Sequence, residues 1–530
     1  MWSTRRGVDS ERMWGIRGRI LPMSDQTTVA PSESAVFTGR VWIGDDGRIA
    51  AVTRGTRAGP PGWQTAPVVD VGTDLVLPGL VDLHNHLAYN TLPLWTEPTQ
   101  TRAFAHHNSW PRARSYAAST TWPAYALITA CPEELLAYVE TKAIVGGCTS
   151  IQGSPPMNRP RDGWLVRNID DETFGTGDSN LVYASVLTAD ATALGTRANR
   201  MRNGAAFIYH CSEGQRGSIV AREFDAAAAA GCLQDTFVAV HANAIDPARL
   251  AAWTDAGAIA WSPFSNLWLY GQTTDVPAAR AAGIAVCLGS DWAPSGTKNV
   301  LGELKSGRLT SDALGWGLTD QDLVTMATCS PGDVLARAWG RQVGRLQPGA
   351  QTDVLVLHAT ARAKPFRAVV DATEDDVRLV VVDGQPRYGT AALMAAATPG
   401  TAPPAPTPVP VGARSMRLAL TRPADGAATW AWSDVVDRLE EVRADPRGSI
   451  EQAQARYARW AGRLDQREAP LRIALDMPTG AGPVGGLPKD LGVIVVPPLE
   501  TLACDQDWLA TVPGRGFHDG VLDDLERWYR

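Results

Sequence analysis

Eight short apolar runs, separated by longer Ala- and Leu-rich stretches, organise the middle of this chain. They fall at 80–84, 148–152, 164–168, 181–187, 206–210, 237–241, 258–262 and 285–289. The stretches 133–145, 218–230, 247–256 and 300–309 read as helices between them. Strands that alternate with helices imply parallel βα units, because parallel neighbours need a long crossover. Eight such units over about 270 residues match the size of a (β/α)8 TIM barrel. The expected fold class is therefore α/β, with a barrel over 76–343.

The flanks have a different texture. Residues 36–55 read as two strands joined at Asp45-Asp46-Gly47, a hairpin signal. Similar apolar runs, split by Gly and Asp, return at 344–388. Segments 14–75 and 344–390 are expected to build one small β-sandwich from both ends. Residues 1–13 are expected to be disordered. Residues 398–412 contain six Pro and read as a semi-rigid extended linker. The C-terminal extension, 413–530, has no assigned role and could wrap back over the main body. Its pattern suggests helices at 433–443 and 449–466, strands at 471–476 and 491–496, and a final helix from 519.

Composition narrows the function. The net charge of −7 argues against a nucleic-acid surface, which needs a basic face. No apolar run approaches the 18 or so residues of a membrane span, and the first twenty residues lack the apolar core of a signal peptide. The expectation is a cytoplasmic protein. Seven Cys without a CxxC pair fit neither a disulfide framework nor a zinc knuckle.

The chain holds only eight His, and several stand at strand ends. His84 and His86 close the first run two apart, so on a strand both point to one side, about 6–7 Å apart. His210 ends AAFIYH, His241 ends FVAVH, and Asp291 follows AVCLGS. The C-terminal strand ends are where TIM-barrel enzymes carry their active sites. A lone His at a strand end is usually structural, but four strand ends in barrel order are hard to ascribe to chance. His106 and His107 could border a pocket or face solvent. His358 and His518 receive no role.

LPGLVDLHNHL resembles the first metal motif of the amidohydrolase superfamily. HCSEG at 210–214 is similar to the HxxE motif of its cytosine deaminase and triazine hydrolase (chlorohydrolase-like) branch. SPFSNLWLYG at 262–271 and LGSDWAPSGTKNVLGELK at 288–305 resemble two further segments of that branch. The resemblance covers roughly residues 14–390 and stops short of the extension.

The resemblance implies one divalent metal ion held by His84, His86, His210 and Asp291, with Zn²⁺ first and Fe²⁺ or Mn²⁺ as alternatives. It implies that Glu213 carries protons, that His241 contacts the substrate, and that Asp291 also accepts a proton. Two-metal relatives place a Lys on strand four, and LVYASVL has none. Trp292 stands where many relatives have Gly, which would reshape the pocket.

The implied function is metal-dependent hydrolysis of carbon–nitrogen bonds other than peptide bonds, as in an aminohydrolase. The alternatives are hydrolytic dehalogenation on the same scaffold, or a catalytically silent metal-binding scaffold. Trp95, Trp110, Trp122, Trp268 and Trp292 suit a heteroaromatic or cyclic-amide small molecule, or simply pack loops. Arg112 and Arg114 could bind a carboxylate or be solvated. No nucleic-acid or membrane partner is expected, and a homo-oligomer is left open. The formal GxGxxG at 480–485 lacks a following helix and reads as a loop.

Overall fold

A computed structural model of the chain describes residues 13–24, 36–56, 59–159, 161, 163–170, 182–185, 188–253, 257–359, 363–397, 406–421, 430–462, 469–476 and 488–530. The disorder expected for 1–13 lies outside these residues except at Met13. So do the GxGxxG stretch at 480–485 and most of the linker expected at 398–412.

The fold is mixed α/β. Strands β1 (Trp14–Ile20), β2 (Phe37–Ile43), β3 (Ile49–Arg54) and β4 (Val68–Pro78) come from the N-terminal flank. β5 (Leu80–Asp82), β6 (Cys148–Ile151), β7 (Arg167–Asn168), β8 (Val182–Ser185), β9 (Ala206–Cys211), β10 (Phe237–His241), β11 (Ala258–Trp261) and β12 (Ala285–Leu288) follow. Each overlaps one of the eight apolar runs. The chain continues with β13 (Val354–Leu357), β14 (Val377–Val382), β15 (Gln385–Gly389), β16 (Thr407–Val411) and β17 (Arg414–Leu418).

The eight central strands are parallel to their neighbours and lie in two sheets, β5-β6-β7 and β12-β11-β10-β9-β8. The sheets meet beyond β5. Leu83 N–H donates to Leu288 O at 3.2 Å, Asp291 N–H donates to His84 O at 2.9 Å, and Asn85 pairs with Asp291 in parallel. Side chains alternate along these strands. Val81, Ala206, Ile208, Val238, Val240, Ala258, Ala260 and Cys287 share one core. Their neighbours Leu80, Phe207, Tyr209, Phe237, Ala239, Ile259 and Trp261 join another, larger one. With both faces buried, the strands read as continuous apolar runs rather than alternating ones.

The two flanks are hydrogen-bonded into one nine-stranded sheet, β16-β17-β15-β14-β13-β4-β1-β2-β3. Val354 and Val356 of β13 face one core, while Leu355 and Leu357 face the core shared with the central strands. The Pro-rich stretch differs from a free linker, because residues 407–411 pair with β17 as the edge strand of this sheet. Pro408 and Pro410 alternate with buried Val409 and Val411. Their missing N–H groups therefore fall on the unpaired edge, where Pro costs no ladder bond.

The extension packs on the main body. Helices Trp432–Ala444 and Pro446–Ala461 lie against helices Trp122–Ala130 and Pro132–Val145, with Trp432 stacked on Tyr138 at 5.3 Å. The strands expected at 471–476 and 491–496 do not form. Only Ile473 makes a bridge, to Met157, and Leu491–Val493 is a 3-10 turn. The helix expected from 519 is a 3-10 segment at Asp523–Trp528. Leu471, Ile494 and Val496 pack into the core of the main body without joining a sheet, while Val493 and Val495 are exposed. No described helix is long and apolar enough to cross a membrane.

One buried ion pair ties the extension down. Lys298 Nζ lies 2.6 Å from Glu500 Oε2 and also donates to the Thr501 hydroxyl. Removing one partner of such a pair strands the other charge. Lys298→Met should lower stability by about 3–5 kcal/mol in urea denaturation, whereas exchange of the exposed partner Arg447, paired with Glu451, should cost under about 1 kcal/mol.

Candidate metal centre

The ends of β5, β9, β10 and β12 deliver a cluster of buried side chains. His84, His86, His210, Glu213, His241 and Asp291 are each at most 6% exposed. Three overlapping groups, His84–His86–His210, His84–His241–Asp291 and His210–Glu213–His241, each bring their candidate ligand atoms within 4.8 Å of one another. Asp291 Oδ1 lies 3.1 Å from His84 Nε2 and 3.6 Å from His86 Nε2, and its Oδ2 lies 3.9 Å from His241 Nε2. All six site residues expected from the sequence are thus together.

Local backbone explains the convergence. Ser212, His241, Ala242 and Asp291 adopt φ between +54° and +62°, a left-handed conformation uncommon outside Gly. Such strain persists where the surroundings over-determine it, often at functional sites. Gly289 lets β12 pass His84 closely, since a Cβ there would sit 2.6 Å from His84 Cβ. Asp82, buried beneath, accepts from the backbone N–H and the hydroxyl of Ser290 and from Asn85. Burial pushes the Asp82 carboxyl up to about 6.

The outer nitrogens of three rings are held by other side chains. His84 Nδ1 is 3.4 Å from Gln152 Oε1, His86 Nδ1 is 2.7 Å from Asp476 Oδ2, and His241 Nδ1 is 2.9 Å from Asn266 Oδ1. The Asn266 amide donates from Nδ2 to Thr274 at 3.2 Å, which turns its oxygen toward His241. The Nε2 atoms of these rings consequently face inward. This is the arrangement that fixes ring orientation and tautomer around metal ions.

Electrostatics sort the groups. Burial and the neighbouring imidazoles drive His210 well below its usual value, and burial also lowers His84 against the pull of Asp291. Both rings are therefore neutral, the form that ligates metal. Burial also opposes charge on His86, but Asp476 and Asp291 outweigh it and raise the ring to about 9. Burial would raise Asp291, yet His84 and His241 hold it well below the usual carboxylate range.

Glu213 has its own support. Tyr270 donates its hydroxyl to Glu213 Oε1 at 2.5 Å, and Trp110 donates to the Tyr270 oxygen at 2.8 Å. His107 bridges two carboxylates, with Nδ1 3.4 Å from Glu213 Oε2 and Nε2 3.1 Å from Glu223 Oε1. The loop carrying it is pinned by His107 N–H donating to Glu213 O and by the His106–Gly214 bridge. Burial would raise Glu213, but His241 and His107 hold it at about 2. Burial opposes charge on His107, but Glu213 and Glu223 raise it to about 10.

The sequence had left His107 undecided and had missed Tyr270, Gln152, Asn266 and Asp476. Tyr270 and Asn266 lie inside SPFSNLWLYG, so a signal existed. Asp476 had none. Arg112 and Arg114 are exposed. Of the five Trp expected near the mouth, four are buried, and Trp292 packs against Tyr89, Trp110 and Tyr116 with its ring 6.3 Å from His86. His358 pairs with Asp74, and His518 stacks on Trp268.

No family model matches the chain. Among curated proteins it is similar to a 5-methylthioadenosine/S-adenosylhomocysteine deaminase of Symbiobacterium thermophilum, 23% identical over 418 residues that make up 70% of this chain and 92% of that protein. Among solved structures it is similar to a zinc-bound adenosine deaminase of Xanthomonas campestris, with a TM-score of 0.56, 15% identity, and coverage of 82% and 98% of the two chains. It is also similar to an atrazine chlorohydrolase of Arthrobacter aurescens complexed with zinc, with a TM-score of 0.54, 17% identity, and coverage of 70% and 94%.

The raised His107 makes a pH test. Its folded value exceeds its unfolded value of about 6.5, so its stabilisation is complete below about pH 6.5 and is lost as pH rises through about 10. The stability advantage of the wild type over His107→Gln, measured by chemical denaturation, should therefore shrink steadily across that window.

Proposed function

We propose that this chain, a metal-dependent hydrolase of non-peptide carbon–nitrogen bonds from the chlorohydrolase-like branch of the amidohydrolase superfamily, removes the amino group of a heteroaromatic small molecule as ammonia. In the same reading the eight central strands close as a (β/α)8 barrel, and the nine-stranded sheet folds over as the flanking β-sandwich. The shared core of Val81, Ala206, Ile208, Val238, Val240, Ala258, Ala260 and Cys287 supports closure, because it gathers side chains from five strands.

The residues fit a divalent ion. Three imidazoles and one carboxylate, His84, His86, His210 and Asp291, suit Zn²⁺ first and also Fe²⁺ or Mn²⁺. Bound there, such an ion lowers the pKa of water from 15.7 toward about 7 and so supplies a nucleophile at neutral pH. One ion suffices, since β8 carries no Lys.

The observation that carries the function is the setting of Glu213. Its carboxylate stands 3.8 Å from His241 Nε2 at the edge of the imidazole cluster, held ionised by His107 and oriented by Tyr270. Ionised, it accepts a proton from the nucleophile and passes it to the leaving nitrogen. His241, fixed by Asn266, presents Nε2 to the substrate ring and steadies charge that develops on it. Asp291 has no free proton to give, so it acts as ligand and acceptor. Two carboxylates with different neighbours thereby divide the proton work.

Tyr89, Trp110, Tyr116 and Trp292 form an aromatic cluster on the His86 side, which favours a flat ligand over an extended one. The purine deaminase relatives support an aminopurine-like ring. The chlorohydrolase neighbour supports the second reading, in which the same groups displace halide.

Glu213→Gln should lower kcat by about 10²–10⁴-fold in ammonia-release assays across amino-purines, amino-pyrimidines and triazines, with metal content unchanged by elemental analysis. Undiminished turnover would overturn the role of Glu213. A metal-loaded wild type inactive on every amine, but active on chlorinated triazines, would favour halide displacement. Dialysis against a chelator should abolish activity, and one equivalent of Zn²⁺ per chain should restore it.

A further inference from the structure

The strand-end ligands all come from the part of the chain that resembles known deaminases, yet the outer nitrogen of His86 is met by a carboxylate of the extension. Asp476 lies 390 residues from His86 along the chain, with Oδ2 2.7 Å from His86 Nδ1. Its side chain is 13% exposed, and its other oxygen is buried with no hydrogen-bond partner among the described residues. The residue is delivered by a short clamp. Asn158 N–H donates to Arg472 O at 3.1 Å, Ala474 N–H donates to Pro156 O at 2.9 Å, and Arg472 N–H donates to Asn158 Oδ1 at 2.8 Å. Arg159 Nε donates to Ala469 O at 2.8 Å, and Ile473 bridges Met157. The loop so gripped follows β6 and also carries Gln152, which holds the outer nitrogen of His84.

From this geometry we infer that Asp476 is a positioning residue of the metal centre. It orients the His86 ring and makes its Nε2 a stronger ligand, so the extension is a working part of the site rather than an appendage. The inference rests on the metal-site reading above. A carboxylate behind a ligating imidazole fixes the tautomer with hydrogen on Nδ1, which leaves the Nε2 lone pair inward, and raises ligand basicity. Gln152 and Asn266 offer only neutral oxygens to His84 and His241. Asp476 is the charged member of the three, so its removal should be felt most at the ion.

The test measures Zn²⁺ affinity on the full-length apoprotein by competition with a chromophoric chelator, without substrate. Asp476→Ala should weaken binding by about 10- to 100-fold. Asp476→Asn, which keeps an accepting oxygen but loses the charge, should fall between it and the wild type, and Asp476→Glu should recover most of the affinity. Unchanged affinity in Asp476→Asn and Asp476→Ala would overturn the inference, whatever their melting temperatures; if Asp476→Ala does not fold, Asp476→Asn decides. A wild type that binds Zn²⁺ but deaminates nothing would sink the deaminase reading and leave this one standing.

Discussion

The structure depends on one meeting of strand ends. Beyond β5 the chain runs beside the segment after β12, so that Asn85 pairs with Asp291 and Asp291 donates its backbone N–H to His84. That contact joins the two central sheets. It also puts a carboxylate beside the His84 imidazole, 207 residues away along the chain, and near that of His86. The left-handed φ of Asp291 and the bare α-carbon of Gly289 are what the close approach demands. Buried Asp82, accepting from Ser290 and Asn85, locks the junction from below.

A second ring of side chains decides which way the cluster faces. Gln152, Asp476 and Asn266 occupy the outer nitrogens of His84, His86 and His241, and the inner nitrogens face one another, Asp291 and Glu213. Without such partners, buried imidazoles could rotate or change tautomer at small cost. The same logic governs Glu213. Tyr270 and His107 take positions on its oxygens, and Trp110 and Glu223 hold those two in turn. The outer nitrogens of His84, His86 and His241 and both oxygens of Glu213 are thus each met by a neighbouring side chain.

The extension changes what the rest of the chain can be. Its helices cover those at 122–130 and 132–145, Glu500 neutralises Lys298 in the interior, Trp528 donates to Asp371, and Asp476 reaches the cluster. Relatives that match this chain over 92% to 98% of their own length leave roughly a fifth to a third of it without a counterpart.

Much of the site was legible in the sequence because the information is local. A strand buried on both faces writes itself as a short apolar run, and a candidate site residue stands at or just after its end. That is why AAFIYH, FVAVH and AVCLGSD were readable, and why all eight runs overlap strands. Local pattern also misleads in predictable ways. Alternate prolines in TPVPV look like a linker until an edge strand can use them, and the apolar stretch 491–496 looks like a strand although only Ile494 and Val496 of it are buried. The residue types and their order along the chain were determined by the sequence alone. Only the tertiary structure decided that His107 serves Glu213, that Trp292 is packed beside His86, and that Asp476 stands behind His86. Those are contacts between segments far apart in sequence, set by how whole elements pack, and neither spacing nor periodicity records them.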